Sequence, residues 1–326
     1  MRFTRQPWRI KTGALALLFL LLSAPCAGAA DRGGSLAEGS AKGHGSLSIG
    51  YQSTAVDGLR SSNANIIDAG HGTMRSVQID LEYFLSDAWS VRAGIPYVSN
   101  VFHGSPHCPT TAPPQCAGVQ PLNPQRPESR FQDDGRYHGT WQDWTIGVAH
   151  HSSLRGNHLL TTALTAQVPS RNYTFFSNAA AGQRIWKIGA SVELAHQFAF
   201  SNFYYRVGYG YVYTERVLDT RMSHHKLDLE LGYFANERLT LRTFAMGKQG
   251  QGYTLKELGP LTDGRSNDYW YHHDQIIVHD FAEVGVGADY RIGGRYTVSA
   301  AYHSMIWGRS VNNFDHATEL RLTREF

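Results

Sequence analysis

The side chains capable of chemistry fall into three groups. His150-His151-Ser152-Ser153 contains two His-x-Ser pairs, His150/Ser152 and His151/Ser153. Residues two apart share one face of a strand, so each pair sets a general base beside a hydroxyl nucleophile. That is the chemistry of hydrolysis. No Asn or acid is visibly placed to orient the imidazole, so no catalytic residue is assigned. Histidine forms the second group, with 16 in the chain. About half map to expected loops: His71, His103, His107, His138, His224, His225, His272 and His273. Within NDYWYHHD, Tyr269, Trp270, Tyr271, His272 and His273 could contact a ligand, rings for an apolar solute and imidazoles for a proton or metal. No chelating His spacing falls on a regular element, so no metal site and no cofactor are assigned.

The third group is charged. Asp80, Glu82, Asp228 and Glu230 alternate with apolar neighbours, as do Arg92, Arg206 and Arg242. Glu283, Asp289, Lys187, Glu193 and Lys248 follow the same rule. Alternation of this kind belongs to strands with one wet and one apolar face. About twelve such segments run along the chain, from His44–Thr54 to Asp315–Phe326. The clearest carries Phe203, Tyr205, Val207, Tyr209, Tyr211 and Tyr213 in step. Short connections near Ser86-Asp87, Leu154–Asn157, His196–Asn202, Asn236-Glu237 and Gly293-Gly294 alternate with long ones at 55–73, 98–139, 170–183, 215–224, 249–278 and 308–314.

The class that follows is all-β: a closed antiparallel up-and-down transmembrane β-barrel of about twelve strands. Its outer face carries Tyr, Trp, Leu and Val, which a soluble sandwich would not display. The lumen then holds Asp80, Glu82, Arg92, Arg206, Asp228, Glu230 and Arg242 as a charged constriction. Turns centred on Asp87 and Asn236 predict Glu82 opposite Arg92 and Glu230 opposite Arg242. Such pairs either neutralise and fill the lumen or select solutes, and the pattern leaves both readings open.

Both ends of the chain bear on compartment. Arg2, Arg5, Arg9 and Lys11 precede an apolar run from Ala14 to Leu22, then Ala27-Gly28-Ala29. This reads as a cleaved signal peptide over 1–30, leaving 31–326 as barrel with its longest outer loops at 98–139 and 249–278. Pro25 before Cys26 argues against a lipoprotein signal. The signal holds four of the 30 basic residues and none of the 27 acidic ones, so the remainder carries a formal charge of −1. That balance gives no reason to expect nucleic acid. Mean hydropathy is −0.35, as expected when only alternate residues face lipid. Cys108 and Cys116 lie in the Pro-rich HCPTTAPPQC, where an oxidising compartment predicts a disulfide, with metal ligation beside His103 and His107 as the alternative.

At the other end Thr318, Leu320, Leu322, Arg324 and Phe326 share a face. This resembles the closing strand of bacterial outer-membrane barrels, with Arg324 as a departure. The resemblance implies recognition by the barrel-assembly machinery through Phe326 and contact with outer-membrane lipid and lipopolysaccharide, and an even strand count with short periplasmic turns predicts periplasmic termini. VRAGIPYV (91–98) and WQDWTIGVAHHSSLRGNHLLTTALTAQVPSRNY (141–173) resemble the outer-membrane family termed "MetA-pathway of phenol degradation" or transporter-like. Ile95-Pro96-Tyr97, Asp143 with Gly147, and Val168-Pro169 carry it; Gln142 and Ser170-Arg171 depart from the pattern. The resemblance implies a Gram-negative outer-membrane channel or transporter taking up small molecules passively, hydrophobic or aromatic ones included. Two alternatives stand beside it: a lipid hydrolase using His151/Ser153, as outer-membrane phospholipases use a His-x-Ser pair, and a metal-binding barrel with His-rich loops.

Overall fold

The computed structural model describes residues 42–103, 121–123, 126–130, 132–175, 177–262 and 268–326. The signal segment and the Cys108/Cys116 stretch lie outside them. Twelve antiparallel strands form one wall. They are β1 Gly45–Arg60, β2 Ile66–Phe84, β3 Trp89–His103, β4 Trp144–Leu154, β5 His158–Val168 and β6 Lys187–Gln197. The second half is β7 Phe203–Thr214, β8 His224–Phe234, β9 Leu239–Gly250, β10 Asp280–Ile292, β11 Tyr296–Arg309 and β12 Val311–Glu325. Each strand pairs with its sequence neighbour, and β1 pairs with β12 over Ser46↔Glu325 to Arg60↔Val311, closing the barrel. At the seam Gly45 and Phe326 exchange two backbone hydrogen bonds of 2.9 Å.

Closure removes the sheet edges, which is what a wall in lipid requires. The exterior carries Leu81, Trp144, Leu164, Ile188, Tyr209, Leu231, Val286 and Leu320, all exposed. The interior carries Asp80, Glu82, Arg206, Glu230 and Asp289, all buried. Along β7 the two environments alternate residue by residue. An exposed apolar belt over a buried charged lining is the inverse of a soluble protein, and identifies lipid as the outer solvent.

Several expected boundaries are corrected. The expected loop at 55–73 is mostly strand: β1 and β2 continue to Arg60↔Ile66. A bulge at Gly58, with φ +78°, bends this extension, and a Cβ there would meet the Ile67 carbonyl at 2.6 Å. The expected loop at 308–314 is also strand. Above the His303↔Ala317 pair, β11 continues on β10 to Asp280↔Arg309 while β12 continues on β1, with Ser310 at the turn. Strands that pair above the lipid have water on both faces, so they lose the period-two pattern that marks the belt.

His138–Trp141 continues β4 along β3, beyond a break at Gln142-Asp143. Pro96 on β3 lies at that level and has no N–H to donate, while its carbonyl accepts from the Gln142 N–H at 2.9 Å. Short helices α1 Leu255–Thr262, α2 Asp268–Tyr271 and α3 His273–Ile276 occupy the connection from β9 to β10.

Placing an arginine on the lipid face should therefore cost far more than placing one in the lumen. Val286→Arg, at the centre of β10, is expected to destabilise the refolded protein by about 2–4 kcal/mol. Gln52→Arg, facing inward on β1 opposite Glu319, is expected to change it little. Urea titration in lipid vesicles, followed by tryptophan fluorescence, checks both.

Candidate functional site

The lumen holds an almost continuous charge network. On β2, Glu82 lies in register with Arg92 of β3, and its Oε1 accepts from Arg92 Nε at 2.8 Å. The same oxygen accepts the Ser90 hydroxyl proton at 2.7 Å. Because that proton is committed, His151 Nε2, 2.9 Å from Ser90 Oγ, acts as donor to it. His151 Nδ1 lies 3.2 Å from Thr161 Oγ1. His151 is thus built into the network through Ser90 and Thr161, and the structure does not bring it to Ser153. His150 and Ser152 meet at 3.2 Å on the outer face, beside the Trp89 ring.

Asp80 accepts from Gln78 Nε2 at 2.6 Å and from Arg321 Nη1 at 2.9 Å. Arg321 comes from β12 and reaches across β1, where the residue in its path is Gly50. A Cβ on Gly50 would lie 3.4 Å from Arg321 Nη2, so a larger side chain would crowd this bridge. Arg321 also holds Glu319 at 2.8 Å.

On the opposite wall Arg206 of β7 lies 3.5 Å from Glu193 of β6. Arg242 of β9 joins two carboxylates, Glu230 at 3.5 Å and Asp289 at 3.2 Å. The expected register is corrected here. Glu230 faces Phe244, and Arg242 faces Gly232, so Arg242 reaches Glu230 along the diagonal. The turn is centred on Glu237 rather than Asn236, with the Ala235 amide bonded to the Leu239 carbonyl at 2.8 Å and Asn236 Oδ1 accepting from the Arg238 and Leu239 amides, so each β8 residue meets a β9 residue two positions further on. Tyr204 donates its hydroxyl to Glu230 at 2.9 Å. Asp228 sits on the same inner face as Lys226 and senses the charges of Lys226, Glu193 and Arg206.

Above this network the long connections fold inward as a cover, which sequence reasoning did not anticipate. Tyr173, Phe175, Ile185, Met222, Leu258, Tyr271, Ile276 and Val278 are all buried in it. Asp143 anchors its lower edge, accepting from the Tyr173 hydroxyl, with Lys187 Nζ at 4.0 Å. Gln275 Nε2 donates to the Gln183 carbonyl at 2.6 Å, and Asp274 accepts from the Ser177 amide at 3.0 Å. These bonds tie the β5–β6 connection to the β9–β10 connection across the mouth. The amides of Leu255 and Lys256 donate to Ser310 and Ser62 on the tall β11–β12 and β1–β2 rims.

The aromatic segment expected at the mouth belongs to this cover. Tyr271 is buried, edge-on to Phe175, and His272 stacks on Phe175 with centroids 5.7 Å apart. His273 lies 3.3 Å from Asp274, and Tyr269 packs edge-on to Tyr253. The side chain of Trp270 lies outside the described residues. Among the described residues no three His, Cys, Asp or Glu side chains are placed to hold a metal ion.

Helix α1 begins with a capping box. The Thr254 amide and hydroxyl both donate to Glu257 Oε2, at 2.9 and 2.8 Å. Those bonds hold the exposed Glu257 carboxyl below its usual range. Its contribution is therefore present above the ordinary carboxylate pKa and fades as pH falls through the lowered value.

No family model and no curated protein matches the sequence. Solved structures do match the fold. An outer-membrane channel from Pseudomonas putida F1 superposes with TM-score 0.64 at 12% identity, covering 87% of this chain and 96% of that one. The beta domain of the Bordetella autotransporter Brka gives 0.45 at 13% identity, covering 87% of this chain and 100% of that one. The CymD monoaromatic hydrocarbon channel gives 0.43 at 11% identity, covering 88% and 89%. The first of these likenesses is one of barrel fold.

Two outcomes test this geometry. Arg242→Met is expected to cost roughly 3 kcal/mol, because it leaves Glu230 and Asp289 facing each other without their cation. Adding Glu230→Gln and Asp289→Asn should recover most of that loss in a mutant cycle by urea titration. Thr254→Val removes the cap of α1, worth about 1 kcal/mol, and should speed amide exchange across 258–262 about fivefold at neutral pH. Exchange measured by mass spectrometry should show that gap narrowing as Glu257 is protonated.

Proposed function

We propose that this chain is an outer-membrane channel for passive uptake of small molecules in a Gram-negative bacterium. The observation that carries the reading is the inversion of the wall: apolar side chains outside and a charged lining within twelve closed strands. Twelve strands enclose more than an eight-stranded barrel, whose interior side chains fill, and less than a general porin. Such an interior suits single small solutes. The Pseudomonas putida F1 protein that shares the fold is described as an outer-membrane channel, which supports the same reading. The resemblance to the transporter-like family around Pro96 and Asp143 points the same way.

In this reading the short turns face the periplasm, together with both termini, and the long rims and cover face outward. Phe326 then presents the seam strand to the assembly machinery, and the outer belt contacts lipid and lipopolysaccharide. The paired charges from Asp80 to Arg242 form the constriction, and the cover limits entry from outside. Hydrolysis by His151 and Ser153 is disfavoured by a specific geometry: His151 is committed to Ser90, whose proton goes to Glu82.

Solute flux into liposomes holding the refolded protein tests the channel. Wild type should pass a small sugar and a small organic acid at different rates. Arg92→Ala should shift that ratio, since it removes one cation from the constriction. Replacing residues 254–277 by a short Gly-Ser linker should raise the flux of both. Absence of flux in all three forms would reject the channel and leave a closed binding barrel.

A further inference from the structure

A second cluster in the lumen lies directly beneath the cover, apart from the predicted constriction. Lys187 opens β6, Lys226 and His224 lie on β8, Lys248 lies on β9, and His279 immediately precedes β10. Lys226 and Lys248 stand directly opposite each other in the β8–β9 ladder. Like charges in that relation repel, so the fold bears a local cost there. The ladder joins the rest: Lys187 pairs with Thr214, whose amide donates to Ser223 Oγ at 3.4 Å, His224 pairs with Gly250, and Lys248 pairs with Phe281, two residues after His279. The five groups therefore share one region of the inner wall.

The carboxylates facing this region are largely committed elsewhere. Asp280 is bonded by Arg309 and by the Gly250 amide at 2.7 Å. Asp143 takes the Tyr173 hydroxyl, with Lys187 only at the 4.0 Å limit. Asp228 interacts with Lys226 but also with Arg206 and Glu193. Lys248 makes no ion pair within 4.0 Å among the described residues. His224 is buried, and its Nδ1 can only donate to the Met222 carbonyl, at 2.9 Å. Its Nε2 is also buried and has no hydrogen-bond partner among the described residues. In the neutral ring that nitrogen is an acceptor among cations, and an anion beside it would favour protonation and turn it into a donor.

The roof over this cluster is apolar. Ile185, Met222 and Val278 pack together in one buried cluster. They stand two residues before Lys187, two before His224 and one before His279. Three of the four segments that supply these groups thus also supply the seal, and β9 supplies Lys248 alone. A solute held here meets ammonium groups on one side and methyl groups on the other, with little water above it. Exclusion of water strengthens the electrostatic attraction.

We propose that Lys187, Lys248, His224 and His279 form a binding site for an organic carboxylate with an apolar body. The carboxylate lies against the ammonium groups and the body against Ile185, Met222 and Val278. This rests on the channel reading, and it makes the cluster the step that selects what enters.

Calorimetry on the detergent-refolded full chain tests the site independently of flux. The probes are benzoate, benzyl alcohol and inorganic phosphate. Wild type should bind benzoate, with benzyl alcohol and phosphate each about tenfold or more weaker, since the first lacks the charge and the second the apolar body. Lys248→Met should weaken benzoate about tenfold or more while leaving heat-modifiable migration on gels unchanged. Lys187→Gln serves as the second variant. Equal affinity for benzoate and benzyl alcohol would overturn the proposal, as would unchanged benzoate affinity in both folded variants. Reversal potentials in planar bilayers under a salt gradient need no variant, and cation preference in wild type would also overturn it. Sugar flux with no benzoate binding would reject the site and keep the channel. Benzoate binding with no flux of any solute would keep the site and reject the channel.

Discussion

The structure depends on a hydrogen-bond requirement. In hydrocarbon no water satisfies a backbone N–H or carbonyl, so a sheet there has no tolerable edge. The pairing of β1 with β12 meets that demand, down to the bonds between Gly45 and Phe326. Once the sheet is closed, every side chain is assigned either to lipid or to the lumen by parity alone. Leu320 faces lipid because Arg321 faces inward, and the reverse.

Parity has a consequence inside. A lumen of this width concentrates carboxylates and cations from strands far apart in sequence. Most are neutralised by partners on neighbouring strands, and glycines make room where the partner lies one strand further. Gly50 between Asp80 and Arg321 is the clearest case. The neutralised belt and the cation-rich cluster under the cover are therefore different environments in one lumen. The first sets opposite charges beside each other, and the second sets Lys226 opposite Lys248.

The cover changes the meaning of residues that look functional one at a time. Tyr271 and His272 would be a landing surface if they faced solvent. Packed on Phe175, they instead help to seal the mouth. His151 resembles a catalytic base until Ser90 and Thr161 occupy its two nitrogens. In each case the tertiary partner is distant in sequence and decides what the side chain is available to do.

Much of the wall was legible from sequence, because lipid imposes an apolar residue at every second position. Phe203 to Tyr213 and Val77 to Tyr83 could be placed on the correct face for that reason, and Glu82 could be set against Arg92. The rims around Gly58 and Ser310 could not, since water on both faces removes the pattern. The diagonal from Arg242 to Glu230 depended on turn geometry at Asn236. The bridge from Arg321 to Asp80 depended on ring closure. The gathering of Lys187, His224, Lys248 and His279 beneath Ile185, Met222 and Val278 depended on curvature of the wall and inward folding of three connections. Periodicity is a local record of the solvent on each face, so the sequence alone determined the strands and their sidedness. Which charges meet across the lumen is a property of closure, and only the tertiary structure decided it.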